Sequence, residues 1–141
     1  MSVQRRQLLE STFVALVTAN DRLNRAVAAF MKTWGITGTQ YNVLRILRGA
    51  GPDGQRSQRI ADDMISKVPD ITRLVDRLVT AGLAERRTDA DDRRVVKVVV
   101  TASGLDLLAR MDEPIRALHE QVLGGMTSRD LKIVRDLLGE L

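Results

Sequence analysis

The sequence contains no cysteine and has one histidine, His119. The lack of cysteine excludes disulfide bonds and thiol-based redox sensing, and it is compatible with a reducing cytoplasm, where we expect the protein to act. One histidine excludes a histidine-rich metal site, so we predict no metal, haem or other cofactor. The chain also lacks a phosphate-cradling glycine loop. The common nucleophile–base and nucleotide-binding arrangements are therefore missing, and we predict that the protein is not an enzyme.

Aromatic residues make up only 3% of the chain, whereas 44% of its residues are hydrophobic, so we expect an aliphatic core. No hydrophobic run approaches the roughly 18 residues of a membrane span. The first ten residues carry two arginines with no apolar block after them, which is unlike a signal peptide. We therefore expect no membrane partner. A length of 141 residues favours one domain, or a small domain with an appended helical interface.

The formal net charge of +4 is unevenly distributed. Residues 45–97 contain 12 basic and 9 acidic residues, whereas the rest of the chain contains 10 and 9. The excess lies in the middle of the chain, as expected of a segment that faces phosphate. A small net positive charge is common, so this distribution supports nucleic-acid binding only together with other features.

Apolar residues at helical spacing predict a first helix from about Val3 to Lys32, ending at Trp34-Gly35, with Thr39 as the N-cap of the second helix. Ser57 is the predicted cap of a short third helix. A fourth helix is predicted from about Lys67 to Thr80, with Pro69 in its first turn. Its apolar stripe consists of Ile71, Leu74, Val75 and Leu78.

The periodicity then changes from helical to alternating. Leu83–Thr88 and Val95–Val100 are predicted strands, and Asp89–Arg94 forms the hairpin tip between them. Thr101 is the predicted N-cap of a fifth helix, which Pro114 should kink. Thr127 and Asp130 resemble the capping box of a last helix.

This order predicts a mainly α fold with a small β-hairpin, in which a helix-turn-helix is followed by a two-stranded wing. The outer helices are too apolar along one stripe to remain single in water. Pairing of two chains is the simplest way to bury them, so we expect a homodimer. The alternative is a helical bundle within one chain.

Four sequence blocks resemble the MarR family of winged-helix transcriptional regulators, in matching order and spacing. They are Thr72–Leu78 (TRLVDRL), Gly82–Arg86 (GLAER), Asp91–Arg94 (DDRR), and Thr101 with Gly104. The resemblance covers nearly the whole chain. It implies a single winged-helix domain over residues 1–141, with a DNA-binding lobe at about 39–101 and dimerisation helices at about 3–32 and 102–141.

The resemblance implies a ligand-responsive repressor that binds a palindromic operator in double-stranded DNA as a homodimer. Two departures concern the helix-turn-helix. The loop Gly51–Arg59 is about two residues longer than is usual in the family, and Ile65 stands where the family often has glycine.

The fourth helix is the predicted recognition helix, because a helix fits the major groove of B-DNA. Its outward residues include Arg73, which can bind guanine or phosphate, and Thr72. The predicted DNA contacts of this segment are Ser66, Lys67, Thr72, Arg73 and Arg77. The alternative is that Arg73 and Arg77 are solvated surface residues paired with Asp70 and Asp76.

At the hairpin tip, the family's Asp-x-Arg pattern corresponds to Asp92 and Arg94, which implies an arginine in the minor groove. A narrow minor groove attracts arginine, and a neighbouring carboxylate can orient the guanidinium. Arg86, Arg87 and Arg93 are candidate phosphate ligands. The alternative is an ordinary charged turn.

The resemblance also implies a small anionic or phenolic effector in a cleft lined by Phe13, Leu16, Trp34 and Tyr41, which are otherwise ordinary core residues. Two rival functions remain. One is an enzyme whose serines find a base only in the folded chain. The other is a winged helix used for protein contacts alone, which would show no salt-dependent DNA binding.

Overall fold

The computed structural model describes all 141 residues and contains six α-helices and one β-hairpin. The helices are α1 (Val3–Thr33), α2 (Gly38–Ala50), α3 (Ser57–Asp63), α4 (Ile71–Thr80), α5 (Ala102–Leu123) and α6 (Ser128–Leu138); the strands are β1 (Ala84–Thr88) and β2 (Val96–Val100). The mainly α winged-helix fold predicted from the sequence is confirmed. None of the helices combines the length and apolar composition of a transmembrane span.

The chain divides into two compact units, Met1–Gly38 and Thr39–Leu141. The first unit is essentially α1, whose N-terminus is capped by the Ser2 hydroxyl, which accepts from the Arg5 N–H at 3.2 Å. Most of α1 is exposed, and Met31 is its one buried residue. Several large apolar side chains on α1 therefore lie in solvent: Leu9, Phe13, Leu16, Leu23 and Val27.

The second unit holds an aliphatic core to which α2, α3, α4, β2 and α5 all contribute, as the composition predicted. Its fully buried large side chains are Val43, Leu44, Leu47, Ile60, Val75, Leu78, Val98, Leu108 and Met111. No polar or charged residue is buried. Most charges therefore lie on the surface, where they can act on other molecules or on one another.

Strands β1 and β2 pair antiparallel, with Ala84 opposite Val100 and Thr88 opposite Val96. Gln55 adds a short bridge on the other side of β2, exchanging two backbone hydrogen bonds with Val98 at 2.9 and 2.8 Å. Sequence reasoning missed this third strand position. The Gly51–Arg59 loop therefore supplies part of the sheet at the base of the wing.

Thr101 is the N-cap of α5, as predicted, because its hydroxyl accepts from the Gly104 N–H at 3.1 Å. The same hydroxyl donates to the Gly82 carbonyl at 2.6 Å. A Cβ on Gly104 would collide with the Leu83 carbonyl, so glycine allows α5 to approach the start of β1. The capping box of Thr127 and Asp130 is also present at the start of α6.

Two predicted caps were wrong. Thr39 lies inside α2, which begins at Gly38, and Ser57 is the first residue of α3 after Arg56, which makes no side-chain cap. A hydroxyl caps only when its backbone has the extended conformation of the N-cap position, and both residues lie just beyond that position. Pro114 lies inside α5 as predicted, and its kink remains a prediction.

Candidate nucleic-acid interface

The recognition helix begins later than the sequence suggested. Asp70 is its N-cap: the Asp70 carboxylate accepts from the Arg73 N–H at 3.0 Å. The residue before a proline disfavours helical angles, which explains why the helix does not extend back through Val68. The predicted start at Lys67 was therefore wrong. Ser66 and Lys67 lie exposed in the connection that precedes α4.

The orientation of α4 agrees with the predicted stripe. Val75 and Leu78 are fully buried, and Ile71 and Leu74 are half-buried. The opposite face is exposed and carries Thr72, Arg73, Asp76 and Arg77. Because the apolar residues of α4 recur three or four positions apart, they share the face that packs on the core, and the polar residues lie on the opposite, exposed face.

Arg73 and Arg77 do not have the carboxylate partners that the alternative interpretation required. The carboxylate of Asp70 is used by the helix backbone, and that of Asp76 pairs with Arg86 on β1. Arg73 and Arg77 form no ion pair and line a groove of about 370 Å³ beside the first turns of α4. Two guanidinium groups are thus left available on the exposed face of this helix.

The turn between α3 and α4 is held by a contact that the sequence did not reveal. The Asn42 side chain on α2 accepts a hydrogen bond from the Ile65 N–H at 2.8 Å. The Ile65 side chain is 89% exposed, and no residue other than glycine has a positive φ. The turn therefore does not require the left-handed conformation that would favour glycine at this position. The partners are 23 positions apart in the sequence, which leaves no local signal for the contact.

The tip of the wing holds Arg94 in one orientation. The Asp92 carboxylate accepts from the Arg94 N–H and Nε at 3.1 Å, and from Nη2 at 3.3 Å. The Arg94 side-chain hydrogen bond, aided by its backbone N–H, lowers the pKa of Asp92. The Arg94 side chain nevertheless remains 91% exposed. It is therefore oriented by its neighbour and open to a partner.

Two of the three aspartates at the tip have structural partners. Asp89 accepts from the Asp91 N–H at 3.0 Å, and its other oxygen lies 3.7 Å from the Lys97 ammonium group. Asp92 pairs with Arg94. The neighbouring Arg93 is exposed and has no ion pair. The negative charge of Asp89 and Asp92 is thus offset locally, while the charge of Arg93 is not.

The other two predicted phosphate ligands of the wing have acidic partners. Arg86 contacts Asp76 on α4, with 2.6 Å between Nη2 and Oδ1. Arg87 pairs with Glu85 on its own strand. The structure therefore separates the basic residues of this lobe into unpaired side chains and side chains that already hold a carboxylate.

The residues predicted to line an effector cleft have different environments. Phe13 is 68% and Leu16 is 38% exposed on α1, and Trp34 lies against Phe30 with ring centroids 6.3 Å apart. Tyr41, on α2, is half-buried. Burial raises the pKa of the Tyr41 hydroxyl, an effect that Arg45 and Arg48 oppose.

The structure and sequence are similar to those of known regulators. The model of the MarR family matches residues 36–96. A MarR transcription factor from Planctomyces limnophilus is 35% identical, with a TM-score of 0.74 over 94% of this chain and 96% of that chain.

Two further solved structures share the fold. A mutant MarR from E. coli complexed with operator DNA is 20% identical, with a TM-score of 0.80 over 99% of this chain and 98% of that one. CouR from Rhodococcus jostii RHA1, bound to p-coumaroyl-CoA, is 26% identical, with a TM-score of 0.74 over 88% of this chain and 86% of that one. The winged-helix fold, the family match and the 35% identity over nearly the full length together show that the chain belongs to the MarR family of DNA-binding transcriptional regulators.

Proposed function

We propose that this protein is a sequence-specific repressor that places α4 in the major groove of DNA and Arg94 in the adjacent minor groove. The observation that carries the proposal is the pair of free guanidinium groups on the exposed face of α4, together with the oriented Arg94 at the wing tip. Major-groove reading requires side chains that project from a helix, and a narrow minor groove attracts arginine. The E. coli relative, which shares the fold, was solved in complex with operator DNA, and this supports DNA binding as the use of the fold.

In this proposal the residues divide by role. Arg73 and Thr72 contact base edges or nearby phosphates from the start of α4, and Arg77 contacts the backbone. Ser66 and Lys67 contact phosphate from the exposed connection before the helix. Arg93 contacts phosphate beside the minor groove, and Asp92 orients Arg94 without touching DNA.

We place the protein on DNA as a homodimer, with residues 39–101 as the DNA-binding lobe and residues 3–32 and 102–141 as dimerisation helices. Large apolar side chains are exposed along α1, including Leu9 and Phe13, and along α6, including Val134 and Leu138. Soluble monomers rarely leave such stripes uncovered. A two-fold dimer would set two α4 helices about 34 Å apart, one turn of DNA, so the operator should be a rough palindrome.

The dimer is tested by light scattering coupled to gel filtration. We expect twice the 15.7 kDa of one chain. Val134→Asp should shift the mass towards one chain, whereas Lys132→Asp, on the same helix but outside the apolar set, should not. A wild-type mass of one chain at micromolar concentration would overturn the proposed dimer.

The DNA proposal is tested with a duplex selected by the protein from a random library. Arg73→Ala and Arg94→Ala should each weaken binding by about 5- to 150-fold, since one good base contact is worth about 1–3 kcal/mol. Removal of one phosphate ligand should reduce the slope of log affinity against log salt by about 0.9. Arg22→Ala, which removes the same charge from α1, is the control. Salt-independent binding, or no selected duplex, would favour the protein-contact function.

We further propose that a small anionic or phenolic effector acts beside Tyr41, whose hydroxyl pKa responds to the charges of Arg45, Arg48 and Asp112. The p-coumaroyl-CoA complex of CouR supports a phenolic acid or its thioester as the first ligands to try. Calorimetry with p-coumarate and p-coumaroyl-CoA should show binding that Tyr41→Phe weakens. Equal affinity in Tyr41→Phe would remove Tyr41 from the site.

A further inference from the structure

Arg86 makes a contact between the wing and the recognition helix. Its guanidinium Nη2 lies 2.6 Å from the Asp76 carboxylate and donates to the Thr72 carbonyl at 3.4 Å. Thr72 and Asp76 are four residues apart on α4, so they are neighbours along one side of the helix. Arg86 thus spans one full turn of α4 from the middle of β1.

The strand dictates this direction. Successive side chains of a strand point to opposite faces, so Arg86 shares its face with Ala84, which is 2% exposed. Arg87 points to the other face and pairs within β1, with Glu85. The Arg86 side chain is 32% exposed, compared with 59% for Arg87 and 91% for Arg94. Of these three wing arginines, Arg86 is the one that pairs with another element.

We propose that Arg86 is a positioning residue that fixes the wing relative to α4, with Asp76 as its partner, and that it is not a phosphate ligand. The inference rests on the proposed reading of DNA by α4 and Arg94. Those two contacts lie in different grooves, so both form at once only if the hairpin holds a set angle to the helix. A two-stranded hairpin is only marginally stable by itself. The charge-assisted contact of Arg86 with Asp76, at the middle of β1, limits the motion of the hairpin relative to α4.

The ion pair with Arg86 also explains why an acidic residue, Asp76, lies on the exposed face of the recognition helix. An unpaired Asp76 would face the phosphates of DNA with the wrong charge. Paired with Arg86, its charge is offset and it serves the geometry of the lobe. If Asp76 positions the wing, its loss should weaken DNA binding. If Asp76 only repels phosphate, its loss should tighten DNA binding.

The test measures binding of the selected duplex by fluorescence anisotropy over a series of KCl concentrations. Arg86→Ala should lower affinity about tenfold at one salt concentration and leave the salt slope unchanged. Asp76→Asn, which is nearly isosteric, should also lower affinity, although it removes a negative charge. Arg25→Ala, which breaks an exposed pair with Asp21 on α1, should change neither quantity.

The exchange variant Asp76→Arg/Arg86→Asp should regain most of the lost affinity, because it restores the pair with the charges reversed. A double variant Asp76→Asn/Arg86→Ala should bind no worse than Arg86→Ala alone, since both changes remove one interaction. If the exchanged pair does not fold, the sign of the Asp76→Asn effect still decides the outcome.

The inference is overturned if Arg86→Ala reduces the salt slope by about 0.9, the value expected when one phosphate ligand is removed, or if Asp76→Asn tightens binding. Arg73→Ala and Arg94→Ala are measured on the same duplex. If these two weaken binding while Arg86→Ala and Asp76→Asn do not, only the positioning role fails. If none of the four variants weakens binding, the proposed DNA-binding face itself is wrong.

Discussion

Arg48 on α2 and Asp112 on α5 form a bidentate ion pair, in which three separate N–O distances are 3.1 Å. About a third of each side chain is exposed, so the pair is only partly screened by water. It joins a helix that precedes the helix-turn-helix to the long helix that follows the wing. The pair therefore links the elements that come before and after the helix-turn-helix and wing in the second compact unit.

We expect Asp112→Asn to lower the free energy of unfolding by about 1 kcal/mol, because it weakens a charge-assisted, two-point contact. Urea denaturation at a fixed protein concentration measures the change. Glu113→Gln is the matched control, since Glu113 pairs with Arg116 where both side chains are at least 70% exposed. A loss from Glu113→Gln as large as that from Asp112→Asn would mean that the partial burial of the Arg48 pair contributes nothing.

Gly54 lies where the loop before α3 passes closest to β2. Its φ is +69°, and a Cβ there would collide with the Val98 carbonyl. We expect Gly54→Ala to destabilise the protein by about 1–3 kcal/mol, since the backbone must move and the bridge of Gln55 to Val98 must weaken.

Gly49 provides the opposite case for the same substitution. It lies within α2, and nothing is within 4 Å of a Cβ built on it. Gly49→Ala should raise stability by up to about 1 kcal/mol, because alanine favours the helix. Thermal unfolding of the two variants side by side measures both shifts. A melting temperature for Gly54→Ala at or above that of the wild type would contradict the close approach.

The Asp92 carboxyl should titrate below the ordinary aspartate range, because its hydrogen bonds with the side chain and backbone of Arg94 lower its pKa. Since the folded pKa lies below the unfolded one, the pairing contributes above the unfolded pKa and is lost as pH falls through the folded pKa. Carbon-detected NMR of the carboxyl group gives the midpoint. In Arg94→Gln the midpoint should rise towards the ordinary value; an unchanged midpoint would contradict the orientation of Arg94 by Asp92.

The Thr101 hydroxyl performs two tasks, accepting from the Gly104 N–H and donating to the Gly82 carbonyl. Thr101→Val keeps the shape and removes both hydrogen bonds, so we expect a loss of about 1–2 kcal/mol in unfolding free energy. Thr101→Ser keeps the hydroxyl and should recover most of it. Chemical denaturation compares the three proteins. If the valine and serine variants lose the same amount, the methyl group matters more than the cap.

The spacing of hydrophobic residues along the sequence predicted most of the fold. The change from helical spacing to alternation placed β1 and β2 within one residue of their observed starts, and the stripe Ile71 to Leu78 gave the correct inward face of α4. The resemblance to a known family indicated Asp92 and Arg94, and the structure joins these two side chains. Helix starts were less predictable. The fourth helix was predicted from about Lys67, but it begins at Ile71 with Asp70 as its N-cap, because Pro69 disfavours helical angles at Val68.

The sequence by itself determined the order of elements, the aliphatic core and the exposed polar face of the recognition helix, because these depend on residues a few positions apart. Only the tertiary structure decided which charges are already paired. Arg48 lies 64 residues from Asp112, Arg86 lies in a different element from Asp76, and Asn42 lies 23 residues from Ile65. The local sequence pattern determines which face of a helix or strand a side chain occupies. The ion-pair or hydrogen-bond partner of that side chain depends on how distant elements pack together. For that reason the sequence grouped Arg86 with Arg73 as a candidate DNA ligand, and the fold separated them.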